Sequence, residues 1–433
     1  MNERKDERAE ASDASAATSQ VRVTAEAVAR RSYGKLVAFL AARTHDVASA
    51  EDALSEAFAA AIADWPAKGC PENPEAWLLT VARRKMIDVI RGQQRRDVAA
   101  EELKIMADGL DAAAEKPEIP DQRLALMFAC AHPAIDPAIR APLMLQTVLG
   151  FDAAMIGSAF LIAPATMGQR LVRAKIKIRQ AGIPFRIPER EELPERLETV
   201  LDAIYAAFAE GWTDAAGTDV ARRDLAEEAL FLGRLVTEVL PNAAEAFGLL
   251  ALMLYAEARR TARRNAKGEY VPLAEQDSSL WDSRMIVEAE ALLLQASKME
   301  SIGRYQLEAA LQSAHVYRCH TGRANWEEVV QLYDALQALS PSPVVGINRA
   351  LAIAELHGAN EALELLQRLS ADPRLQEYQP YWAARAELLA RTGADSEARA
   401  AYEMAIGLER DDAVRRFLRQ RQARVSIGLE PNN

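Results

Sequence analysis

Residues 150–179 read GFDAAMIGSAFLIAPATMGQRLVRAKIKIR, and this stretch decides the fold. It predicts a helix from Asp152 to Phe160, a tight turn over 161–163 and a second helix from Pro164, because proline is favoured at the first helical position. Apolar and small residues recur where the two helices of a helix-turn-helix pack together: Ile156, Gly157, Ile162, Met167 and Leu171. Almost every segment after residue 21 has the same helical periodicity of apolar residues, so the sequence predicts an all-α protein.

The second helix of this pair is basic. Five Lys or Arg residues and no acid lie between Arg170 and Arg179. A recognition helix contacts base edges from its first turns, and basic side chains neutralise phosphates. The pattern therefore predicts DNA binding, with four side chains projecting from those first turns: Ala165, Thr166, Gln169 and Arg170. The alternative is a two-helix packing corner with a basic surface.

A second basic stretch, NPEAWLLTVARRKMIDVIRGQQRR, occupies residues 73–96. Asn73 is a predicted helix cap and Pro74 a predicted first helical residue. Six basic residues and one acid lie between 83 and 96, interleaved with apolar side chains. Basic groups can hold phosphates while apolar or aromatic side chains receive unstacked bases. The alternative is a helix that lays its Lys and Arg stems over apolar surface.

An acidic helix is predicted within DVASAEDALSEAFAAAIADW, residues 46–65. Ser49 or Asp46 could cap a helix that starts near Ala50. An apolar stripe is predicted to face the core, namely Ala53, Leu54, Ala57, Phe58 and Ala61. The opposite face carries an acidic patch, namely Glu51, Asp52, Ser55 and Glu56. The alternative is an ordinary solvated face.

Charge is distributed unevenly along the 433 residues, whose net charge is −11. Residues 1–186 carry 25 Lys or Arg and 24 Asp or Glu, so the excess acid lies in the remainder. An acidic average argues against a protein coated with basic residues, but the two basic helices are local exceptions. The three cysteines lie far apart and no HExxH is present, so we expect no zinc site and no cofactor.

Composition shifts predict the domain organisation. Residues 98–119 hold six acidic and two basic residues, and three prolines cluster between 184 and 194. We expect a disordered tail (1–20), a helical domain (21–97) and an acidic linker (98–119). A helix-turn-helix domain (120–186), a second helical domain (187–290) and a set of helical repeats (291–425) are expected to follow. No apolar run reaches about 18 residues and the N-terminus has no signal-peptide pattern, so a cytoplasmic location is expected.

The repeats are predicted from small residues at fixed offsets within a helix pair, with one aromatic residue in the second helix. This pattern is typical of tetratricopeptide repeats and is best seen at Trp382, Ala386, Gly393, Ala398, Tyr402 and Ala405. Weaker copies lie upstream. Such arrays usually present a concave protein-binding surface. The alternative is ordinary antiparallel helix packing.

Taken in order, these stretches resemble bacterial sigma factors of the extracytoplasmic-function class. AEDALSEAF, residues 50–58, is similar to the region-two helix that docks on the clamp helices of the RNA polymerase β′ subunit. The resemblance implies a binding surface for core RNA polymerase on this helix, made by Glu51, Asp52, Ser55, Glu56 and Phe58.

The two basic helices resemble the promoter-reading parts of the same family. The helix at 74–96 is similar to the one that melts and reads the minus-ten element, which implies DNA binding by Trp77, Arg83, Arg84, Lys85, Asp88, Arg91, Arg95 and Arg96. Residues 150–175 are similar to the region-four helix-turn-helix that reads the minus-thirty-five element. The implied DNA-binding residues are Ala165, Thr166, Gln169, Arg170, Arg173, Lys175 and Lys177. Leu161 stands where the family commonly has Gly, which predicts an altered turn.

Segments of the C-terminal half resemble a sigma subgroup with a long helical extension that contains tetratricopeptide repeats. They are IPFRIP (183–188), FAEGWTDAAG (208–217), GLLALMLYAEARRTAR (248–263), QDSSLWD (276–282) and SPSPVVGINRALA (340–352). The resemblance implies a sigma factor that initiates transcription, whose partners are core RNA polymerase (β′ and β subunits), promoter DNA and a possible protein partner of the repeats. We expect no catalytic site.

Two alternatives stay open at this point. A stand-alone helix-turn-helix regulator with a repeat-type sensor domain would bind duplex DNA without polymerase, but it would not need the acidic and basic helices at 46–96. An enzyme in the C-terminal half is the third possibility, although no paired carboxylates and no nucleophile–base arrangement stand out there.

Overall fold

A computed structural model describes most of the chain, and its described residues form two compact units. The described ranges are 32–34, 36–41, 47–94, 121–160, 162–181, 188–213 and 220–427. Unit 1 contains residues up to Gly211 together with Ala221–Leu240, and unit 2 contains Trp212–Val220 and the chain from Pro241 onward. The expected tail, the expected acidic linker and Leu161 lie outside the described residues.

Both units are α-helical. In unit 1, residues 32–34 and 36–41 are helical. They are followed by α1 (Val47–Lys68), α2 (Pro74–Gln94), α3 (Gln122–Cys130), α4 (Pro137–Thr147), α5 (Ala153–Ala159), α6 (Pro164–Gln180), α7 (Leu193–Thr213) and α8 (Val220–Val239). The last two residues of α7 and the first residue of α8 belong to unit 2. No β-strand occurs in the described ranges, where one isolated antiparallel bridge joins Arg264 and Tyr270.

Local caps explain where the helices of unit 1 begin. The Asn73 side chain accepts a hydrogen bond from the Ala76 amide at 3.0 Å, and Pro74 is the first residue of α2. Asp152 caps α5 in the same way, accepting from the Ala154 amide at 2.9 Å. The predicted helix positions are thereby confirmed, except that α1 begins at Val47, three residues before the predicted start. Val47 is buried, so apolar packing extends the first turn.

The helix pair at 153–180 is held by a small apolar core and one close backbone approach. Ile156, Met167 and Leu171 are buried, as their spacing predicted. At Gly157 an added Cβ would lie 2.5 Å from the carbonyl oxygen of Ile162. Only glycine fits there without displacing backbone, so the close approach of α5 to Ile162 depends on this residue.

Helices α7 and α8 contact α3 through two arginines, the buried Arg196 of α7 and the half-buried Arg123 of α3. Arg196 is 2% exposed, donating from Nη1 to the Phe128 carbonyl oxygen at 3.1 Å and from Nη2 to Glu192 at 2.9 Å. Arg123 bridges Asp121 and Glu228. Burial raises the pKa of Glu228, and the Arg123 guanidinium opposes that shift. The residues from Arg190 to Gly211 and from Ala221 to Leu240 therefore belong to the same unit as α5 and α6.

Unit 2 is built around one buried helix. Its helices are α9 (Ala244–Ala258), α10 (Ser283–Ser297), α11 (Arg304–Thr321), α12 (Trp326–Leu339), α13 (Pro343–His357), α14 (Ala359–Leu369), α15 (Gln379–Arg391), α16 (Asp395–Leu408) and α17 (Asp412–Ile427). Most of α9 is buried, against α10 and α11. An added Cβ at Gly248 would lie 2.7 Å from the Gln306 amide nitrogen, so α9 and α11 are in direct backbone contact.

From α12 to α17 each helix packs on its neighbour in sequence. Ala386, Ala398, Tyr402 and Ala405 share one buried cluster, and Trp382 packs against it. Gly393, whose φ is 75°, lies between the two helices that carry them. The residues singled out from the sequence thus form one packed helix pair, while the tetratricopeptide assignment itself stays a prediction.

The connection between α9 and α10 is a long irregular segment, 259–282, that contains three short 3₁₀ turns. It contacts the last helix of the unit. Arg264 pairs with Asp411 at 2.5 Å, and the Tyr270 ring meets the Phe417 ring edge-on at a centroid distance of 5.4 Å. Unit 2 is therefore closed by a contact between this segment and α17. None of the helices in the described ranges is long and apolar enough to cross a bilayer.

Candidate nucleic-acid interface

The acidic face of α1 is partly covered. Asp52, Ser55 and Glu56 are exposed, whereas Glu51 and Phe58 are half-buried. The Tyr33 ring stacks on Phe58 at a centroid distance of 6.5 Å. Burial raises the pKa of Tyr33 to about 12, and the Glu51 carboxylate adds to that shift. A neutral phenol therefore lies beside the carboxylates, and the face that remains open is smaller than the sequence indicated.

The basic helix α2 packs on α1 through paired tryptophans. The half-buried Trp77 ring meets the buried Trp65 ring edge-on at 5.4 Å. Lys85 pairs with Glu56 at 3.0 Å, and both side chains are exposed. Two sets of predicted site residues, one for polymerase and one for DNA, thus touch at this edge. Arg84 and Asp88 are also exposed.

Arg83 differs from the other basic residues of α2. Its guanidinium lies over the Phe39 ring, 5.2 Å from the centroid, and its Nε is buried without a hydrogen-bond partner in the described part of the chain. The side chain of Arg91 is not described, and Arg95 and Arg96 lie outside the described residues. The basic surface that the structure describes on α2 therefore centres on Arg84 and Lys85.

One face of α6 is open along its length. Six of the seven predicted minus-thirty-five residues are exposed, namely Ala165, Thr166, Gln169, Arg170, Arg173 and Lys177. Their spacing of three to four residues places most of them on one side of the helix. Val172 and Ile176 are exposed beside them. This face combines basic, polar and apolar groups, which is the chemistry that phosphates and base edges require.

Lys175 is the exception on α6. Its Nζ lies 2.6 Å from Oε2 of Glu51 on α1, and the two side chains are only 21% and 15% exposed. The buried Cys130, whose Sγ is 3.8 Å from Oγ1 of Thr147, lies close to both charges. Burial raises the pKa of Cys130 to about 12, with Glu51 adding to the effect, so the thiol stays protonated. Glu51, predicted to bind polymerase, and Lys175, predicted to bind DNA, are therefore paired with each other.

A second close approach lies in the same unit. An added Cβ at Gly34 would lie 1.4 Å from the carbonyl oxygen of Val148, at the end of α4. Backbone thus meets backbone between the 32–41 helical segment and α4. The helical segment 32–41 therefore packs on the end of α4, and the Glu51–Lys175 pair joins α1 to α6.

Sequence reasoning missed these contacts. Tyr33 and Phe39 lie in the helical segment before α1, where no motif marked them. The Glu51–Lys175 pair joins residues 124 positions apart, and no local pattern can indicate such a pair. Within the described ranges, no three His, Cys, Asp or Glu side chains are grouped so that they could hold a metal ion.

Two parts of the chain match known protein families. Residues 28–96 match the family model described as sigma-70 region 2. Residues 196–297 match a family of unknown function, DUF6596. An uncharacterized protein of Rhizobium meliloti (strain 1021), R00370, is 37% identical over 379 residues, which cover 86% of this chain and 88% of that protein. The chain belongs to the family of this rhizobial protein.

This chain joins a match to sigma-70 region 2 to a match to a family of unknown function. In this chain the first match contains α1 and α2, and the second runs from α7 to the end of α10. Sigma-70 region 2 is a domain of a non-enzymatic family and implies core RNA polymerase as a partner. No solved structure matches the chain.

Proposed function

We propose that the chain is a sigma factor of the extracytoplasmic-function class. It binds core RNA polymerase through α1, opens and reads the minus-ten element through α2, and reads the minus-thirty-five element through the open face of α6. The observation that carries the proposal is the sigma-70 region 2 match over α1 and α2, followed along the chain by an exposed basic helix behind a tight turn.

The described side chains support a division of labour. Arg84 and Lys85 are exposed and suit phosphate contacts, and the half-buried Trp77 offers a ring on which an unstacked base can lie. Arg83, stacked on Phe39, positions α2 against the preceding helical segment. No bond is made or broken by the chain, because its role is to place polymerase and DNA.

The ion pair between Lys175 of α6 and Glu51 of α1 supports a closed form of the free protein. Core polymerase needs the acidic face of α1, and Glu51 is there neutralised by Lys175. Breaking a buried ion pair leaves an uncompensated charge, so the two regions separate only when a partner supplies new contacts. In this proposal, polymerase supplies them, and Lys175 is released toward DNA at the same time.

The C-terminal half is proposed to act as a regulatory and protein-interaction module with tetratricopeptide-like packing. The sequential packing of α12 to α17 supports this part of the proposal.

The first test is complex formation between the full chain and purified core polymerase of its own host, followed by gel filtration. We expect a stable complex, and promoter DNA should be shifted by the complex at protein concentrations where the chain alone does not shift it. A chain that shifts duplex DNA equally well without polymerase would support a stand-alone helix-turn-helix regulator instead. Failure to bind core polymerase would overturn the sigma-factor proposal.

A further inference from the structure

Four arginines lie within the six residues Arg259–Arg264, at the start of the irregular segment of unit 2, and they are partnered in two ways. Arg260 pairs with Glu257 at 2.7 Å, and Arg264 pairs with Asp411 at 2.5 Å. Arg259 and Arg263 form no ion pair with any carboxylate in the part of the chain that the structure describes. The arginines without a carboxylate alternate with those that have one.

Arg259 is the most buried cation of the group, with 6% of its surface exposed. Its Nε donates to the Tyr255 carbonyl oxygen at 3.1 Å and its Nη2 donates to Oε1 of Gln312 at 2.7 Å. Both acceptors are neutral, whereas buried charges in proteins are normally paired. Burial lowers the pKa of Arg259 to about 10, and repulsion from Arg263 adds to that shift.

Arg263 and Arg318 also have neutral hydrogen-bond acceptors, and each guanidinium group lies over a tryptophan ring. The Arg263 guanidinium lies 3.7 Å from the Trp212 ring centroid and donates to the Trp212 carbonyl oxygen at 2.6 Å. The Arg318 guanidinium lies 3.9 Å from the Trp326 ring centroid and donates to Oδ1 of Asn325 at 2.8 Å. Aromatic faces and neutral acceptors orient these cations, and the carboxylates that act on their charge, Asp411 on Arg263 and Glu355 on Arg318, form no ion pair with them.

His315 joins the arginines. Its Nδ1 lies 2.9 Å from Nη2 of Arg318. Burial, followed by repulsion from Arg318 and Arg259, lowers the pKa of His315 to about 4, so the ring is neutral at pH 7 and accepts from Arg318. The buried Trp281 ring lies 5.7 Å from the His315 ring, and its indole N–H has no hydrogen-bond partner in the described chain.

These groups form what we call the arginine cluster, made of Arg259, Arg263, Arg318 and His315 with the rings of Trp212, Trp281 and Trp326. It contains three guanidinium cations and an unsatisfied indole donor, and none of its three arginines has a carboxylate partner among the described residues. A ligand that suits it must accept hydrogen bonds and carry negative charge. Three cations favour a ligand with more than one negative charge, and guanidinium groups match tetrahedral oxyanions in geometry.

We propose that the arginine cluster of unit 2 binds a small oxyanion with two negative charges, namely inorganic phosphate or the phosphate group of a small ester. The cluster draws on Trp212 at the end of α7, on Arg259 and Arg263, on Trp281, on α11 and on the first residue of α12. This inference does not depend on the sigma-factor proposal, because the site lies wholly in unit 2.

The test is thermal unfolding of the full chain during titration with inorganic phosphate at constant ionic strength. A ligand that binds only the folded state stabilises it, and at a concentration a hundredfold above Kd we expect the Tm of the transition to rise by about 5 °C. Phenyl phosphate, in a parallel titration, distinguishes free phosphate from a phosphate ester. Acetate serves as the monoanionic control and should leave the Tm unchanged.

Paired variants assign the effect to the cluster. Arg263→Gln and, separately, Arg318→Gln should weaken phosphate affinity by about tenfold, because each removes one charged hydrogen-bond donor. Arg260→Gln is the matched control, because Arg260 already pairs with Glu257, and its affinity should stay within about twofold of the parent. The basic helices of unit 1 are untouched by these changes, so phosphate bound there would be unaffected.

The readout is the phosphate-dependent increment in Tm, which separates binding from a purely structural role. A structural arginine would lower the starting Tm and leave the increment intact. The proposal is overturned if neither phosphate nor phenyl phosphate raises the Tm above the acetate control. It is equally overturned if the increment survives in Arg263→Gln and Arg318→Gln, or is lost to the same degree in Arg260→Gln.

Discussion

Arginine is used in two contrasting ways in the two units of this chain. On α6 of unit 1, Arg170 and Arg173 are exposed on an open helix face. In the arginine cluster of unit 2, the guanidinium groups are wholly or partly buried, are held by neutral acceptors and stack on tryptophan rings. Exposed cations suit a large polyanion such as DNA, because binding them releases the counterions condensed on the DNA. Buried, oriented cations suit a small anion of defined shape.

Substitutions at one of the two sites should leave binding at the other unchanged. Arg170→Ala combined with Arg173→Ala should weaken binding of the polymerase complex to promoter DNA by about 4 kcal/mol, roughly a thousandfold, and should flatten its salt dependence. Fluorescence anisotropy with labelled promoter DNA across a salt series measures both effects. Phosphate stabilisation of unit 2 and binding to core polymerase should not change. Loss of core binding would contradict the role assigned to α6.

Acid should weaken unit 2 through His315. The pKa of His315 is lowered from 6.5 to about 4 in the folded state, so on acidification the unfolded chain takes up the proton first. The stability that this neutral ring contributes is present above pH 6.5 and is lost as the pH falls toward 4, up to about 3 kcal/mol. The cations that face the ring and oppose its protonation are Arg318 and Arg259.

Urea unfolding at pH 7 and at acidic pH, with the parent and His315→Gln, checks this expectation. The variant should lose less stability on acidification than the parent does. His357→Gln is the control, because it removes an exposed histidine outside the cluster. An acid dependence that is identical in parent and His315→Gln would show that His315 does not carry the effect.

Lys175 differs from the other predicted DNA-binding residues of α6, because it pairs with a half-buried carboxylate. Lys175→Ala should destabilise the packing of α6 on α1 by about 2 kcal/mol, since Glu51 loses its partner while half-buried. Core polymerase should then bind about tenfold more tightly, because the closed form competes less well. Lys177→Ala, an exposed neighbour, should leave core affinity unchanged. Equal affinities for both variants would remove the Glu51–Lys175 pair from the account.

The smallest effect is expected at Lys85. Both side chains of its ion pair with Glu56 are exposed to solvent. Lys85→Ala should therefore change the free energy of unfolding by less than about 0.5 kcal/mol. Denaturant titration measures this directly. A much larger loss would mean that the edge between α1 and α2 is held by charge rather than by the Trp65 and Trp77 rings.

Local features of this fold were predictable and distant ones were not. Asn73, Asp152 and Pro164 act within one helical turn, so the sequence alone places the starts of α2, α5 and α6. The acidic face of α1 was predicted to be open, yet Glu51 is half-buried, because its partner comes from a helix 124 residues away.

The arginine cluster lay beyond sequence reasoning for a similar reason. The segment 259–282 was predicted within a helical domain but is irregular, with three short 3₁₀ turns, and its side chains meet Trp212 and α11 only through the tertiary fold. The local sequence shows four arginines within six residues but cannot show which of them lack a carboxylate. That distinction depends on Glu257 and Asp411 reaching two of the four.

The most direct test of the account is run-off transcription with the full chain, purified core polymerase of its own host and a promoter template. We expect specific initiation that depends on the chain, that is strongly reduced by the combined Arg170→Ala and Arg173→Ala changes and that survives Lys177→Ala with at most a modest loss. Core polymerase that initiates equally well without the chain, or not at all with it on any host promoter, would contradict the assignment as a sigma factor.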